Sequence, residues 1–190
     1  MRIIAGRAKG RRLELPSAQV TRPTSDKARE ALFSILGSFL TKEGKTFSDL
    51  KVLDAFAGSG ALGLEAYSRG VEKITFIEQN IDAFGVLLGN IEHIGIGEEA
   101  KAYRRDACKP GKPHDVYNLV FLDPPYGKGF VTPAVQGLDK QGWLTQDVCL
   151  VVEVAAKETP PVIPGFLCID TRMLGAACFL LFVREQENQQ

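Results

Sequence analysis

Short apolar segments alternate with amphipathic ones from Lys51 onward. The apolar segments have the length of buried strands and are bounded by turn-forming residues. They predict strands near 52–56, 73–78, 100–105, 118–123, 148–154, 166–171 and 177–183. Apolar residues at helical spacing predict helices near 60–69, 80–93 and 129–140. This alternation is typical of a doubly wound α/β fold with a parallel sheet.

The two ends of the chain modify this picture. Only residues 173–176 separate the last two predicted strands, which leaves no room for a crossover helix, so these strands should form an antiparallel hairpin. Near the start, residues 2–6 and 11–15 alternate around 7–10 and predict a small hairpin. Thr24 or Ser25 can then cap a helix with one apolar face, made by Ala28, Leu32, Ile35, Leu36 and Phe39.

We therefore expect one domain over residues 1–190, built on a seven-stranded, mostly parallel sheet. Its N-terminal hairpin and helix would occupy residues 1–40, and the core would occupy residues 50–185. A hydrophobic fraction of 45% and a charged fraction of 24% are ordinary for a globular protein. There is no apolar run of about 20 residues and no signal peptide, so we expect a cytoplasmic protein that does not enter membranes. The four cysteines show no Cys-x-x-Cys spacing, and with two histidines they predict no metal site.

The zero net charge hides a basic N-terminal segment. Residues 1–29 contain eight basic and two acidic residues, whereas the rest of the chain contains 15 basic and 21 acidic ones. A local positive charge on a neutral chain indicates a phosphate-binding surface, although a solvated arm would look the same.

The most informative motif is Asp123-Pro124-Pro125-Tyr126, which follows the apolar run 118–122. In open α/β sheets, ligands bind beyond the carboxyl ends of strands. An acidic side chain beside a carbonyl held by proline can accept hydrogen bonds from an NH₂ group, and an aromatic ring can stack on a flat base. These groups indicate a site for a nucleobase amine, although an ordinary Asp-Pro-Pro turn is the simpler alternative.

A glycine loop precedes this motif. Gly58, Gly60 and Gly63 match G-x-G-x-x-G after a strand and before a helix, and Glu78 ends the next strand, where it can bind ribose hydroxyls. This pairing suits a nicotinamide dinucleotide or S-adenosylmethionine. Asp54 favours the second, because it would repel a pyrophosphate and can meet a cationic amino acid group. Asp106, at the end of the third strand, could accept from the adenine amine, with Ala107 leaving space beside the ring.

With these motifs the chain resembles class I S-adenosylmethionine-dependent methyltransferases, and more closely the RsmD family. The matching segments are 1–6, 21–30, 54–65, 77–80 and 123–126. The resemblance implies methylation of guanine N2, at guanine 966 of 16S ribosomal RNA, in an assembled or assembling small subunit. It implies a catalytic group made of Asp123, Pro124, Pro125 and Tyr126. It implies cofactor contacts from Asp54, Phe56, Gly58, Ser59, Gly60, Leu62, Glu78, Gln79, Asp106 and Ala107.

The basic residues of the N-terminal segment are predicted to bind RNA phosphates, which gives affinity without sequence reading. They are Arg2, Arg7, Lys9, Arg11, Arg12, Arg22 and Arg29, joined by Lys128 near the catalytic motif. A monomer is the simplest expectation. Three alternatives remain open at this point: an adenine-N6 DNA or RNA methyltransferase, a nicotinamide-dependent oxidoreductase and a non-catalytic RNA-binding module.

Overall fold

The computed structural model describes residues 1–17 and 25–186. Its strands are β1 (Lys51–Asp54), β2 (Lys73–Ile77), β3 (Ala100–Tyr103), β4 (Tyr117–Leu122), β5 (Leu144–Ala155), β6 (Phe166–Leu174) and β7 (Ala177–Arg184). Its helices are α1 (Asp26–Lys42), α2 (Ala61–Ser68), α3 (Ile81–Ile94) and α4 (Val131–Lys140), with a short 3₁₀ helix at Phe47–Asp49. None of the described helices is long and apolar enough to cross a membrane.

The seven strands form one sheet in the order β3-β2-β1-β4-β5-β7-β6. The pairs among β1 to β5 are parallel, whereas β7 pairs antiparallel with both β5 and β6. The mostly parallel seven-stranded sheet and its C-terminal antiparallel hairpin are therefore confirmed.

Alternate residues of the central strands face two separate apolar layers, as side chains do along any strand. Val52 and Leu119 pack under α1, α2 and α3, whereas their neighbours Leu53 and Val120 pack against α4. The sheet is covered on both faces, which explains why its strands are continuous apolar runs in the sequence.

α1 begins where the sequence predicts a helix. The Ser25 side chain accepts a hydrogen bond from the Ala28 backbone N–H at 3.2 Å, which caps the first turn. The predicted apolar face packs on the sheet: Leu32 and Leu36 are buried, and Ile35 and Phe39 are partly buried against the same core.

The N-terminal hairpin is shorter than predicted, with a single antiparallel bridge between Arg2 and Arg12. It is fastened to α2 by a buried carboxylate. Glu65 accepts hydrogen bonds from the backbone N–H groups of Ile4 and Ala5 at 2.8 and 3.1 Å. The hairpin is therefore held by contacts to the core as well as by its own backbone hydrogen bonds, such as that from the Ile3 N–H to the Arg11 carbonyl at 2.9 Å.

Several strand boundaries differ from prediction. β1 ends at Asp54 because the next residues bend away, with the Ala57 N–H donating to the Ile77 carbonyl. β5 begins earlier, at Leu144, because the polar residues at its start conceal the strand in the sequence. β6 extends to Leu174 rather than 171. It forms an edge of the sheet, and its register against β7 shifts between Cys168 and Asp170.

Candidate active site

The sheet changes winding direction between β1 and β4. β1 pairs with β2 on one side and with β4 on the other, so the chain leaves these neighbours in opposite directions. A crevice at the carboxyl ends of strands is expected at such a point. A cavity of about 390 Å³ opens there, bounded by residues that follow β1, β2 and β4.

The loop after β1 makes a tight turn into α2. Gly58 and Gly60 have φ values of 53° and 82°, which side-chain-bearing residues rarely adopt. A Cβ on Gly63 would lie 2.4 Å from the Phe76 ring, so this glycine allows α2 to approach β2 closely. The Gly63 N–H also donates to Asp54 Oδ2 at 3.0 Å, which joins the helix to the strand end.

Glu78, directly after β2, is hydrogen-bonded to this turn. Its Oε2 accepts from the Gly58 N–H at 2.8 Å and its Oε1 accepts from the Asn80 N–H at 2.7 Å. Each carboxylate oxygen can accept more than one hydrogen bond. Glu78 can therefore hold the glycine loop and still bind a ribose hydroxyl.

Asp54 is buried at the end of β1, with 2% of its surface exposed. Burial raises the pKa of its carboxyl to about 7, against the opposing effect of the Gly63 N–H, and the Glu78 carboxylate raises it further. A positive charge beside Asp54 would favour its ionised form. The residue is therefore suited to a cationic ligand.

The predicted catalytic motif, residues 123–126, lines the same cavity, directly beyond β4. Burial raises the pKa of Asp123 well above its usual range, and the carboxylates of Glu153 and Asp54 raise it further. Pro124 is buried, whereas Pro125 is exposed at the rim.

Glu153 is a site residue that the sequence analysis missed. Leu122 of β4 lies beside Val152 of β5, so the next residues, Asp123 and Glu153, follow on neighbouring strands. The Tyr126 hydroxyl donates to Glu153 Oε1 at 2.7 Å, which holds the aromatic ring in place. The available signal was a lone acidic residue inside the apolar run of β5.

Most of the predicted cofactor contacts line the cavity, namely Asp54, Phe56, Gly58, Ser59, Leu62, Glu78, Gln79 and Ala107. Gly60 instead shapes the turn behind it. Asp106 is not one of the described lining residues, and its Oδ1 accepts from the Cys108 N–H at 2.8 Å. Its neighbour Arg105 lines the cavity. The proposed contact between Asp106 and the adenine amine stays a prediction.

The predicted RNA-binding residues fall into two groups. Arg7 and Arg11 donate to backbone carbonyl oxygens near the C-terminal ends of α2 and α3, so their guanidinium groups fasten the hairpin to the core. Lys9, Arg12 and Lys128 are exposed, as are Arg7 and Arg11 themselves. Arg2 is also exposed, with an ion pair to Asp26 at 3.0 Å.

Two further residues that were predicted to contact RNA, Arg29 and Arg22, belong to neither group. Arg29 has none of its surface exposed, so it cannot grip an RNA phosphate as predicted. Sequence alone concealed this because the residue lies in a basic, polar stretch. Arg22 lies outside the described residues.

A larger open groove of about 1,010 Å³ lies elsewhere, between the C-terminal half of α1 and the start of β5. Lys45 and Asp147 pair there at 2.7 Å. None of the motif residues that the structure describes lines this groove. The smaller cavity is therefore the candidate active site because of the residues that line it, although its volume is smaller. In residues 1–17 and 25–186, no three His, Cys, Asp or Glu side chains are grouped to hold a metal ion.

Comparison with known proteins agrees with this geometry. A family model described as "Conserved hypothetical protein 95" matches residues 1–183. Ribosomal RNA small subunit methyltransferase D of Escherichia coli strain K12 is 32% identical over 100% of this chain and 92% of its own length. The solved structure of yhhF from Escherichia coli is 32% identical and superimposes with a TM-score of 0.82, covering 98% of this chain and 99% of its own.

The fold is also that of more distant methyltransferases. Magnesium protoporphyrin IX methyltransferase of Synechocystis PCC 6803, solved with bound S-adenosylmethionine, is 16% identical, with a TM-score of 0.59 over 83% of this chain and 79% of its own. S-adenosylmethionine is the cofactor that the fold and the family imply. The cavity fits it, because a glycine turn, an acidic residue at the end of β2 and a buried carboxylate suit a cationic nucleoside.

Described residues from each segment that carries the sequence resemblance thus line one cavity, in a class I methyltransferase fold, on a chain that the family model matches almost throughout. This chain belongs to the family described as Conserved hypothetical protein 95, the RsmD family, which includes ribosomal RNA small subunit methyltransferase D.

Proposed function

We propose that this protein methylates the exocyclic N2 amine of a guanine in 16S ribosomal RNA of the bacterial small subunit, in the assembled particle or an assembly intermediate. The observation that carries the proposal is the position of Asp123, Pro124 and Tyr126 beside the glycine loop, on one cavity. The name of the Escherichia coli relative supports ribosomal RNA as the substrate. The resemblance to the RsmD family supports guanine N2 and a position equivalent to guanine 966.

The chemical problem is that an aromatic amine is a poor nucleophile, since its lone pair is delocalised into the ring. The Asp123 carboxylate and the Pro124 carbonyl oxygen accept the two N–H bonds of the amine. This draws the nitrogen toward a tetrahedral geometry and orients its lone pair. S-adenosylmethionine, when bound, supplies an electrophilic methyl group on a positively charged sulfur. Positioning and preorganised electrostatics provide most of the rate gain.

The amine must also lose a proton when it gains the methyl group. Asp123 is the acceptor, because burial and the neighbouring carboxylates hold the pKa of its carboxyl well above the usual range. A carboxyl with a raised pKa is a stronger base than an ordinary aspartate.

Tyr126 stacks against the target base once that base has left its own stack. Its hydrogen bond to Glu153 at 2.7 Å fixes the ring before the substrate arrives, so little side-chain freedom is lost on binding.

RNA phosphates are bound by the exposed basic residues Arg2, Lys9, Arg12 and Lys128. Arg22, which lies outside the described residues, joins them in this proposal. In this arrangement residues 1–40 serve RNA binding and residues 50–185 serve cofactor binding and catalysis, within one domain. We infer a cytoplasmic monomer that requires no metal.

The test is to incubate the protein with isotopically labelled S-adenosylmethionine and unmethylated small ribosomal subunits, then to digest the RNA to nucleosides for mass spectrometry. Label in N2-methylguanosine at one site is expected. Label in N6-methyladenosine would keep the chemistry and overturn the base, and cofactor binding without any label would overturn the substrate.

An Asp123→Ala variant tests the role of Asp123 in methyl transfer. We expect transfer to fall at least ~100-fold, because the variant loses both an acceptor for the amine and the base. Binding of S-adenosylmethionine should change little. Near-normal turnover in this variant would refute the assigned role of Asp123.

A further inference from the structure

Arg29 is a charged side chain that the methyl-transfer mechanism leaves unused. It lies in the first turns of α1 with none of its surface exposed. Its Nη2 donates to the Arg2 carbonyl oxygen at 2.6 Å and to Asp26 Oδ1 at 2.8 Å. The guanidinium is therefore held in place by the hairpin on one side and by its own helix on the other.

The rest of the guanidinium is unsatisfied. Nε and Nη1 of Arg29 are buried and have no hydrogen-bond partner among the described residues. Leaving buried donors of a charged group unpaired is costly, so such groups point to a ligand or another partner. Burial lowers the pKa of Arg29, opposed by the carboxylates of Asp26 and Glu65, which reflects the same lack of compensation.

The unpaired donors belong to a residue that lines the active-site cavity. Arg29 borders it together with Met1 and Pro16 of the N-terminal segment, and Asp54 and Glu78 belong to the same lining. This cavity thus contains one buried guanidinium among several carboxylates. An α-amino acid carries one ammonium and one carboxylate, and that pair matches one acidic and one basic side chain.

We propose that Arg29 binds the carboxylate of the methionyl part of S-adenosylmethionine, while Asp54 faces its ammonium group. The inference rests on the proposed function, in that it takes this cavity as the cofactor site. It also reassigns Arg29 from RNA binding to cofactor binding.

The same anionic chemistry could come from a phosphate of the RNA. The structure favours the cofactor, because the hairpin covers Arg29 through the Arg2 carbonyl and leaves it no exposed surface. A small ligand can occupy the cavity that Arg29 borders, whereas a polymer backbone at the molecular surface cannot.

The test compares two ligands by calorimetric titration. S-adenosylhomocysteine carries the amino acid group, and 5′-methylthioadenosine carries the same nucleoside without it. Each is titrated into the wild-type protein, Arg29→Gln and Arg29→Lys, with Lys27→Gln as a control that removes an exposed positive charge from the same helix.

We expect Arg29→Gln to bind S-adenosylhomocysteine roughly 10- to 100-fold more weakly, as for loss of a hydrogen bond to a charged group. Binding of 5′-methylthioadenosine should stay within about twofold of wild type, which also shows that the variant is folded. Arg29→Lys should recover part of the loss, and Lys27→Gln should match the wild type with both ligands.

Three results would overturn the inference. Equal weakening of both ligands in Arg29→Gln would mean a structural role only. Unchanged binding of S-adenosylhomocysteine with weakened RNA binding would assign Arg29 to a phosphate. If the wild-type protein bound neither ligand, the assignment of the cavity as the cofactor site would fail as well.

Discussion

Asp54, Asp123 and Glu153 bring three acidic side chains together at the carboxyl edge of the sheet. Asp54 and Glu153 are each 2% exposed, and burial together with these two carboxylates raises the pKa of Asp123. Like charges in a buried site oppose one another's ionisation. Repulsion between these carboxylates lowers the stability of the folded protein. A cationic ligand would offset this loss, because it would favour the ionised forms of the carboxyl groups. The same residues then provide both cofactor selectivity and the acceptor for the proton of the amine.

This cost gives a pH-dependent prediction for Asp54→Asn. The pKa of Asp54 in the folded protein, about 7, lies above the value of 3.8 for an unperturbed aspartate, which applies to the unfolded chain. Between these two pH values the folded state therefore holds more protons than the unfolded state. Ionisation of Asp54 therefore lowers stability as the pH rises from about 4 to 7. The asparagine carbonyl can still accept from the Gly63 N–H. We expect the variant to gain up to about 4 kcal/mol at pH 8 and little at pH 4.

Urea unfolding at pH 4 and pH 8, without cofactor, measures this difference. Asp82→Asn is the matched control, because Asp82 borders the same cavity but is exposed, so its charge stays in water. An equal gain for Asp54→Asn at both pH values would contradict the prediction.

At the site, the sequence could predict residues that share a strand end or a loop with a motif. Gly58, Glu78 and Tyr126 are of this kind. Glu153 and Arg29 were missed or misassigned, because their place depends on contacts between segments distant along the chain. β5 brings Glu153 to β4, and the folded-back hairpin buries Arg29.

Among the elements, hydrophobic periodicity predicted all seven strands and the helices of the core, because each is buried on a defined face. The predicted ends differ from the observed ones where local chemistry gives no signal. α4 begins at Val131 rather than 129, without a side-chain hydrogen bond to cap it. The hairpin between β6 and β7 was predicted from loop length alone, and only residues 175–176 separate its strands.

The contact between α2 and β2 can be tested by Gly63→Ala. The added Cβ would lie 2.4 Å from Phe76 and 2.5 Å from Ile74, so helix and strand must move apart. We expect a loss of about 1–3 kcal/mol in the free energy of unfolding. Cofactor binding should weaken too, because the Gly63 N–H anchors Asp54.

Gly85→Ala in α3 is the control for this substitution. A Cβ there meets nothing within 4 Å, so alanine should stabilise the helix by roughly 0.5–1 kcal/mol. Equal effects of the two substitutions in chemical denaturation would show that α2 and β2 are not closely packed.

At the scale of the whole molecule, the basic residues of the N-terminal hairpin have two different roles. All four side chains are exposed, but Arg7 and Arg11 hold the hairpin on the core through backbone carbonyls, whereas Lys9 and Arg12 make no such bond to the described residues. The positive charges are thus not equivalent, although they are indistinguishable in the sequence.

Single glutamine substitutions should separate these roles. Lys9→Gln and Arg12→Gln should weaken RNA binding and lower the slope of log affinity against log salt by roughly 0.7–0.9 each. Arg7→Gln should leave that slope nearly unchanged and lower the free energy of unfolding by about 1–2 kcal/mol. RNA titrations at several salt concentrations, with thermal unfolding, measure both. The same change in salt dependence in all three variants would refute this separation of structural and RNA-binding roles.

The register shift between Cys168 and Asp170 affects how the molecule behaves among its own copies. β6 lies at an edge of the sheet, and Leu167, Ile169 and Met173 are exposed along it, a combination that invites another chain to add a strand. The shift breaks the straight run of backbone donors and acceptors, and the Asp170–Arg172 ion pair at 3.0 Å places charges on it. A straightened, uncharged β6 would favour aggregation at high protein concentration, and the native strand resists it.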